Sequence, residues 1–149
     1  MKHPDQLASL LSPGVIPYAE RINMPYLGYH LLRETITTKL LGESEAPILY
    51  WMGKDLGRQI AVQTANGLVL PFIRLGLGKL ELLEESERHF RYRLFHSIYS
   101  YMTPERMSRA LSLECGIVAG AIGRLREQDV ETRLELEEEG SVIISVSLS

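Results

Sequence analysis

A chain of 149 residues, 45% hydrophobic and 23% charged, has material for one well-buried core and too little for two. Sixteen Lys and Arg against nineteen Asp and Glu leave a formal net charge of -3, and the basic residues are scattered among the acidic ones, which excludes the basic patch a nucleic acid would require. Prolines 4, 13 and 17 break the N-terminus where a secretory apolar core would sit, no apolar run reaches the length of a membrane span, and the single Cys115 cannot form an internal disulfide, so a soluble cytoplasmic protein is expected.

Residues 1–24 carry Pro4, Pro13, Gly14 and Pro17 and read as an N-terminal arm folded over the body or a neighbour; residues 25–149 read as one domain. From Pro25 the pattern becomes helical: Tyr29, Leu32, Ile36 and Leu40 recur every three or four residues and Gly42 suits a C-terminal cap, which predicts a helix of about 17 residues. Pro47 opens a second helix expected to run to about Ala65, with Leu49, Met52, Leu56 and Ile60 on one stripe and Gly53, Gly57 and Ala61 beside it. Leu68 to Leu75 fits a short third helix ended by Gly76 and Gly78.

The period then switches to two. Leu80 and Leu82, then Phe90, Tyr92 and Leu94, alternate with charged residues, which predicts a hairpin with one apolar face and with Arg91 and Arg93 facing Glu81. Thr103-Pro104-Glu105 starts a short helix, and Ser112 is placed to cap the next one, Leu113 to Leu125, in which Gly116, Gly120 and Gly123 form a bare stripe beside Ile117 and Ala121. Each helical glycine costs about 1 kcal/mol relative to alanine, so close packing must offset the loss and this helix is expected at the centre of the core. Val130, Leu134 and Leu136, a turn at Glu139-Gly140-Ser141, and Val142, Ile144, Val146 and Leu148 predict a closing hairpin. The expected fold is α+β: a mostly antiparallel four-stranded sheet of two hairpins packed against three to four helices.

Catalytic signatures are sparse. Gly76-Leu77-Gly78-Lys79 has the wrong glycine spacing for a phosphate loop and reads as a turn into a strand. His3, His30, His89 and His96 show no metal-ligand spacing. Cys115 lies near a helix start, which favours a thiolate, but an apolar setting and Glu114 oppose it, so a buried inert thiol is the simpler reading. Glu137-Glu138-Glu139 reads as a solvated strand end, and Trp51 as a core or interface anchor, with a ligand-stacking wall as the alternative.

The blocks Gly28-Tyr29-His30-Leu31-Leu32-Arg33-Glu34, Leu40-Leu41-Gly42, Ile48-Leu49-Tyr50-Trp51-Met52-Gly53-Lys54-Asp55-Leu56, Gly78-Lys79-Leu80 and Ser112-Leu113-Glu114-Cys115-Gly116 resemble, in order, those of the YslB-like family of small bacterial cytoplasmic proteins. That family is similar in fold to core subunits of the TRAPP transport particle and to four-vinyl-reductase-type ligand-binding domains. The resemblance implies a ligand-binding or assembly scaffold, often dimeric, in some relatives with an apolar channel between helices and sheet that takes an acyl chain. Cys115 does not match the acylated cysteine of such relatives, and no cysteine-rich metal segment is present, so neither acylation nor a metal carries over.

The function expected is thus a non-catalytic scaffold for a small apolar molecule or acyl chain, acting as a homodimer without cofactor or metal. A protein–protein adaptor without ligand is the alternative, and a small enzyme using Cys115 with Glu114, or Arg58 toward a substrate anion, is the third reading. Candidate ligand or interface residues are Tyr29, Tyr50 and Trp51 for their rings, Gly53, Gly57, Gly116 and Gly120 for bare backbone, and Arg58 and Cys115 for their chemistry.

Overall fold

The structure is a computed structural model that describes residues 4–137 and 140–149; His3 and two residues of the acidic cluster and closing turn, Glu138 and Glu139, lie outside the described residues. Short α1 (Ile16–Ala19) precedes three helical pieces stacked end to end: α2 (Tyr26–His30), a π-helical turn at Leu31–Ile36, and α3 (Thr37–Leu41). Then follow α4 (Glu45–Arg58), α5 (Val69–Arg74), β1 (Lys79–Glu85), β2 (His89–Phe95), α6 (Pro104–Ala110), α7 (Ser112–Arg126), β3 (Val130–Leu136) and β4 (Ser141–Leu148).

All strand pairs are antiparallel, in the order β1-β2-β4-β3, so the two hairpins join through β2 and β4. The expected α+β architecture is the one observed. Alternation decides which face is buried: Phe90, Tyr92 and Leu94 of β2 and Val142, Ile144 and Val146 of β4 point into one apolar cluster. Register sets the outer charges. Glu81 lies opposite Arg93, as expected, but a bulge between Leu82 and Glu84 shifts Arg91 onto Glu84, 3.1 Å away.

α7 is the centre of the core. Its residues from Glu114 to Ile122 are all buried, the signature of a helix covered on every side. The sheet lies on one side and α4 crosses on the other. There the glycines interlock: a Cβ on Gly53 would fall 2.9 Å from the Gly116 Cα, and one on Gly120 would fall 2.9 Å from the Lys54 carbonyl carbon. Gly57 sits equally tight against Ile117. The bare stripes therefore serve backbone-to-backbone packing.

Several element boundaries differ from expectation. α4 starts at Glu45, before Pro47, because a proline in the first helical turn lacks only an N–H that would have no partner there. It stops at Arg58 instead of near Ala65, and the Ala61 N–H then donates to the Gln6 carbonyl of the N-terminal segment. Ser112 does not cap α7: α6 runs almost directly into α7 through Leu111, and the Ser112 hydroxyl donates to the Ser108 carbonyl. Residues 4–24 lie on the body, with Leu7 and Ile16 inserted in the main apolar cluster and Asp5 and Glu20 clasping Arg74.

Candidate functional site

The α2–α3 segment has no fully buried residue, and of the stripe read as apolar periodicity Leu32, Ile36 and Leu40 are exposed while Tyr29 is half-buried. What holds the segment to the body is charge. Arg33, in the π-turn, donates through Nη2 to Glu114 Oε1 and, at 3.0 Å, to the Ala110 carbonyl; through Nη1 it donates to the Tyr29 hydroxyl at 3.1 Å. Its neighbour Glu34 accepts from Arg106, whose guanidinium also grips Glu45 with two bonds of 2.6 and 2.9 Å. Glu45 is 0% exposed and Glu114 2% exposed, each in a helix packed on the core, and each is matched by an arginine. Burial alone would lower the Arg33 pKa, but the charge of Glu114 and its hydrogen bond outweigh burial and raise it, so Arg33 stays a cation.

Around this pair lies a cleft lined by Tyr26, Tyr29, His30, His96 and Tyr99, with Leu77, Ile98 and Leu111 at its apolar wall. The rings form a chain: Tyr26 stands 5.3 Å from both Tyr29 and His96, and His96 stands 5.5 Å from Tyr99. The His96 Nδ1 accepts from the Ile98 N–H, so in the neutral ring the proton is on Nε2. Desolvation lowers the His96 pKa and raises those of Tyr26 and Tyr99, so these rings are kept neutral. One donor is left over. The Nε of Arg33 is buried and has no hydrogen-bond partner among the described residues. Chemically, the residues lining the cleft include one buried donor without a partner among the described residues, in company with aromatic rings.

The family whose description reads protein of unknown function (DUF2507) matches residues 26–147. The chain belongs to that family. It is similar to the uncharacterized protein YslB of Bacillus subtilis (strain 168), with 22% identity over 125 residues that make up 84% of each chain. The YslB-like resemblance of the five sequence blocks is therefore correct. Among solved structures, a vinyl-4-reductase family protein from Methanocaldococcus jannaschii superposes over 100% of this chain and 99% of its own, with TM-score 0.65 and 18% identity. The phenol-responsive sensory domain of the transcription activator PoxR, solved with phenol, covers 85% of this chain and 76% of its own, with TM-score 0.59 and 15% identity. At these identities the likeness is one of fold.

Of the candidate ligand or interface residues read from the sequence, Tyr29 alone lines the cleft; Glu114, named there only as a partner of Cys115, lines it too. Gly53, Gly57, Gly116 and Gly120 are spent in the α4–α7 crossing. Tyr50 is half-buried, its hydroxyl accepting from Thr132 at 3.4 Å and its ring 5.9 Å from the Lys54 ammonium. Trp51 is 76% exposed and so is not the expected core anchor. Arg58 is exposed at the end of α4, where its carbonyl accepts from Arg124. Cys115 points into the core next to Glu114, and burial, with the Glu114 charge, pushes its thiol up to about 12. Gly76 and Gly78, both at positive φ, turn the chain into β1. The interior between α7 and the sheet, where the resemblance implied an acyl channel, is filled by fully buried Phe90, Tyr92, Val118, Ala121, Ile122 and Ile144.

Sequence reasoning passed over Arg33, Glu34, Glu45, Tyr26, His96 and Tyr99. One signal was available: Glu114 stands in the most apolar helix of the chain, where an ionised side chain requires a partner.

Proposed function

We propose that the chain is a non-catalytic binding domain, acting in the cytoplasm, that takes a small ring-bearing molecule into the cleft between α2 and α7. The observation that carries the reading is the buried Arg33 Nε, without an acceptor among the described residues, in a cleft lined by five aromatic or imidazole rings. A donor stranded in a low-dielectric site costs about 1–3 kcal/mol, which a ligand oxygen would return as binding energy. The fold likeness to a sensory domain solved with phenol supports the same class of ligand. The raised thiol pKa of Cys115 argues against that residue as a nucleophile, since a nucleophile requires the thiolate.

Native mass spectrometry of freshly purified protein, set beside its denatured mass, tests this directly. A reproducible non-covalent added mass, lost in Arg33→Gln, is the expected result. A bare native mass together with no binding from a library of small aromatic compounds would sink it.

A second reading is a homodimeric adaptor, favoured by the outward apolar residues Leu27, Leu32, Leu40, Trp51 and Met52 on the helical layer. A self-complementary two-fold contact would cover such a face on both copies at once. The two readings are compatible, because none of these outward residues lines the cleft.

A further inference from the structure

The charge balance around the cleft is set before any ligand arrives. Three carboxylates, Glu114, Glu34 and Glu45, face two guanidiniums, Arg33 and Arg106, so the cluster holds one negative charge in excess. The charge of Arg33 is already matched by Glu114, whereas its Nε–H meets no acceptor among the described residues. Those two facts separate ligands by charge. A neutral oxygen satisfies the donor without disturbing the balance, while an anion adds a second negative charge to a desolvated site that has no cation to spare.

The space also defines the shape. The free space in the cleft is about 20 Å³, room for a single water, so a ring enters only in exchange for one already there. Tyr26 is the ring suited to leave: it is 39% exposed and stands at the first turn of α2 after an exposed stretch, residues 21–25. Its departure vacates a space of phenol size beside Tyr29 and His96.

We propose, building on the ligand-binding reading above, that the cleft selects neutral ring-bearing acceptors such as amides, ketones and alcohols over anions of the same shape, with Glu114 the residue that determines this selectivity and the ligand ring replacing that of Tyr26. Benzamide and benzoate are the test pair, because they share ring and carbonyl geometry and differ in charge at pH 7. Titrating each into the full chain and following backbone amide shifts gives both Kd values and locates the site through His96 and Tyr99. Benzamide is expected to bind at least about tenfold more tightly than benzoate. In Glu114→Gln, which keeps a carbonyl acceptor for Arg33 but frees its charge, the order should reverse. In Tyr26→Ala both compounds should tighten, with benzamide still ahead; this exposed position also keeps the test open if Glu114→Gln does not fold.

Equal affinities, or a preference for benzoate in the unaltered chain, would overturn the selectivity while leaving the ligand-binding reading in place. An unchanged ratio in folded Glu114→Gln would remove Glu114 from its role. Failure of both compounds to bind the chain and both variants would remove the reading and the inference together.

Discussion

The carbonyl oxygen of Tyr50 stands where a side chain on Gly116 would have to begin, and the Gly53 Cα lies 2.9 Å from the same point. Helices α4 and α7 thus touch backbone to backbone. Gly116→Ala must drive them apart along a crossing that also includes Gly57 and Gly120, so it is expected to lower the unfolding free energy by about 3 kcal/mol or more. Gly28→Ala is the control. Gly28 is helical with nothing within 4 Å of its absent Cβ, and its replacement is expected to be neutral or to add up to about 1 kcal/mol. Denaturant titrations of the two variants should differ in sign, and similar losses in both would refute close packing as the use of the stripe.

That crossing was legible because glycines four apart in two separate helices leave few physical uses other than close approach. The four strands were legible because a period of two admits only one face for Phe90, Tyr92 and Leu94. The cleft was not. Glu45 and Arg106 are 61 residues apart, Arg33 and Glu114 are 81 apart, and no local pattern announces which carboxylate a given arginine will meet. The π-turn at Leu31–Ile36 is equally silent: it admits one extra residue into the helix, and a 3.6-residue template carried through it predicts the wrong face beyond. Leu40, beyond the turn, falls on an expected core stripe for that reason, and it faces outward.

Glu45 makes the ionic anchoring of α4 testable. It is fully buried, and Arg106 meets both of its oxygens. Glu45→Ala leaves Arg106 with Glu34 alone, and because that guanidinium is partly solvated the expected loss is about 2–3 kcal/mol, at the lower end for a broken buried pair. Double replacement of Glu45 and Arg106 by Leu and Met should recover part of the loss. A double variant weaker than the sum of the singles would contradict the pairing.

His96 should give the fold a pH dependence of defined sign. Burial lowers its pKa below 6.5, Arg33 acts in the same direction, and Glu114 and a bond to the Gly76 backbone oppose them. A histidine depressed in the folded state is protonated first in the unfolded chain, so stability is full above pH 6.5, falls as pH drops through that value, and levels below the folded pKa. His96→Asn keeps an acceptor for the Ile98 N–H and removes the titration. Its Tm should fall less between pH 7.5 and 5 than that of the unaltered chain. Identical slopes would show that His96 is not desolvated.

The outward apolar face makes the last prediction. Leu40 and Trp51 are 77% and 76% exposed, so each has little packing within its own chain to lose when replaced. Leu40→Lys and Trp51→Lys should therefore shift monomer stability by no more than about 0.5 kcal/mol. If this face joins two copies, each two-fold contact brings the substituted position close to its own symmetry mate or to the same apolar patch, and paired lysines there meet repulsion without a counter-charge. Sedimentation at micromolar concentration should show a dimer for the unaltered chain and a monomer for the double variant, with the benzamide Kd unchanged because the cleft is not part of the face. A dimer that survives both substitutions would assign the contact to another surface, and a loss of benzamide binding on dissociation would show that the cleft depends on the second copy.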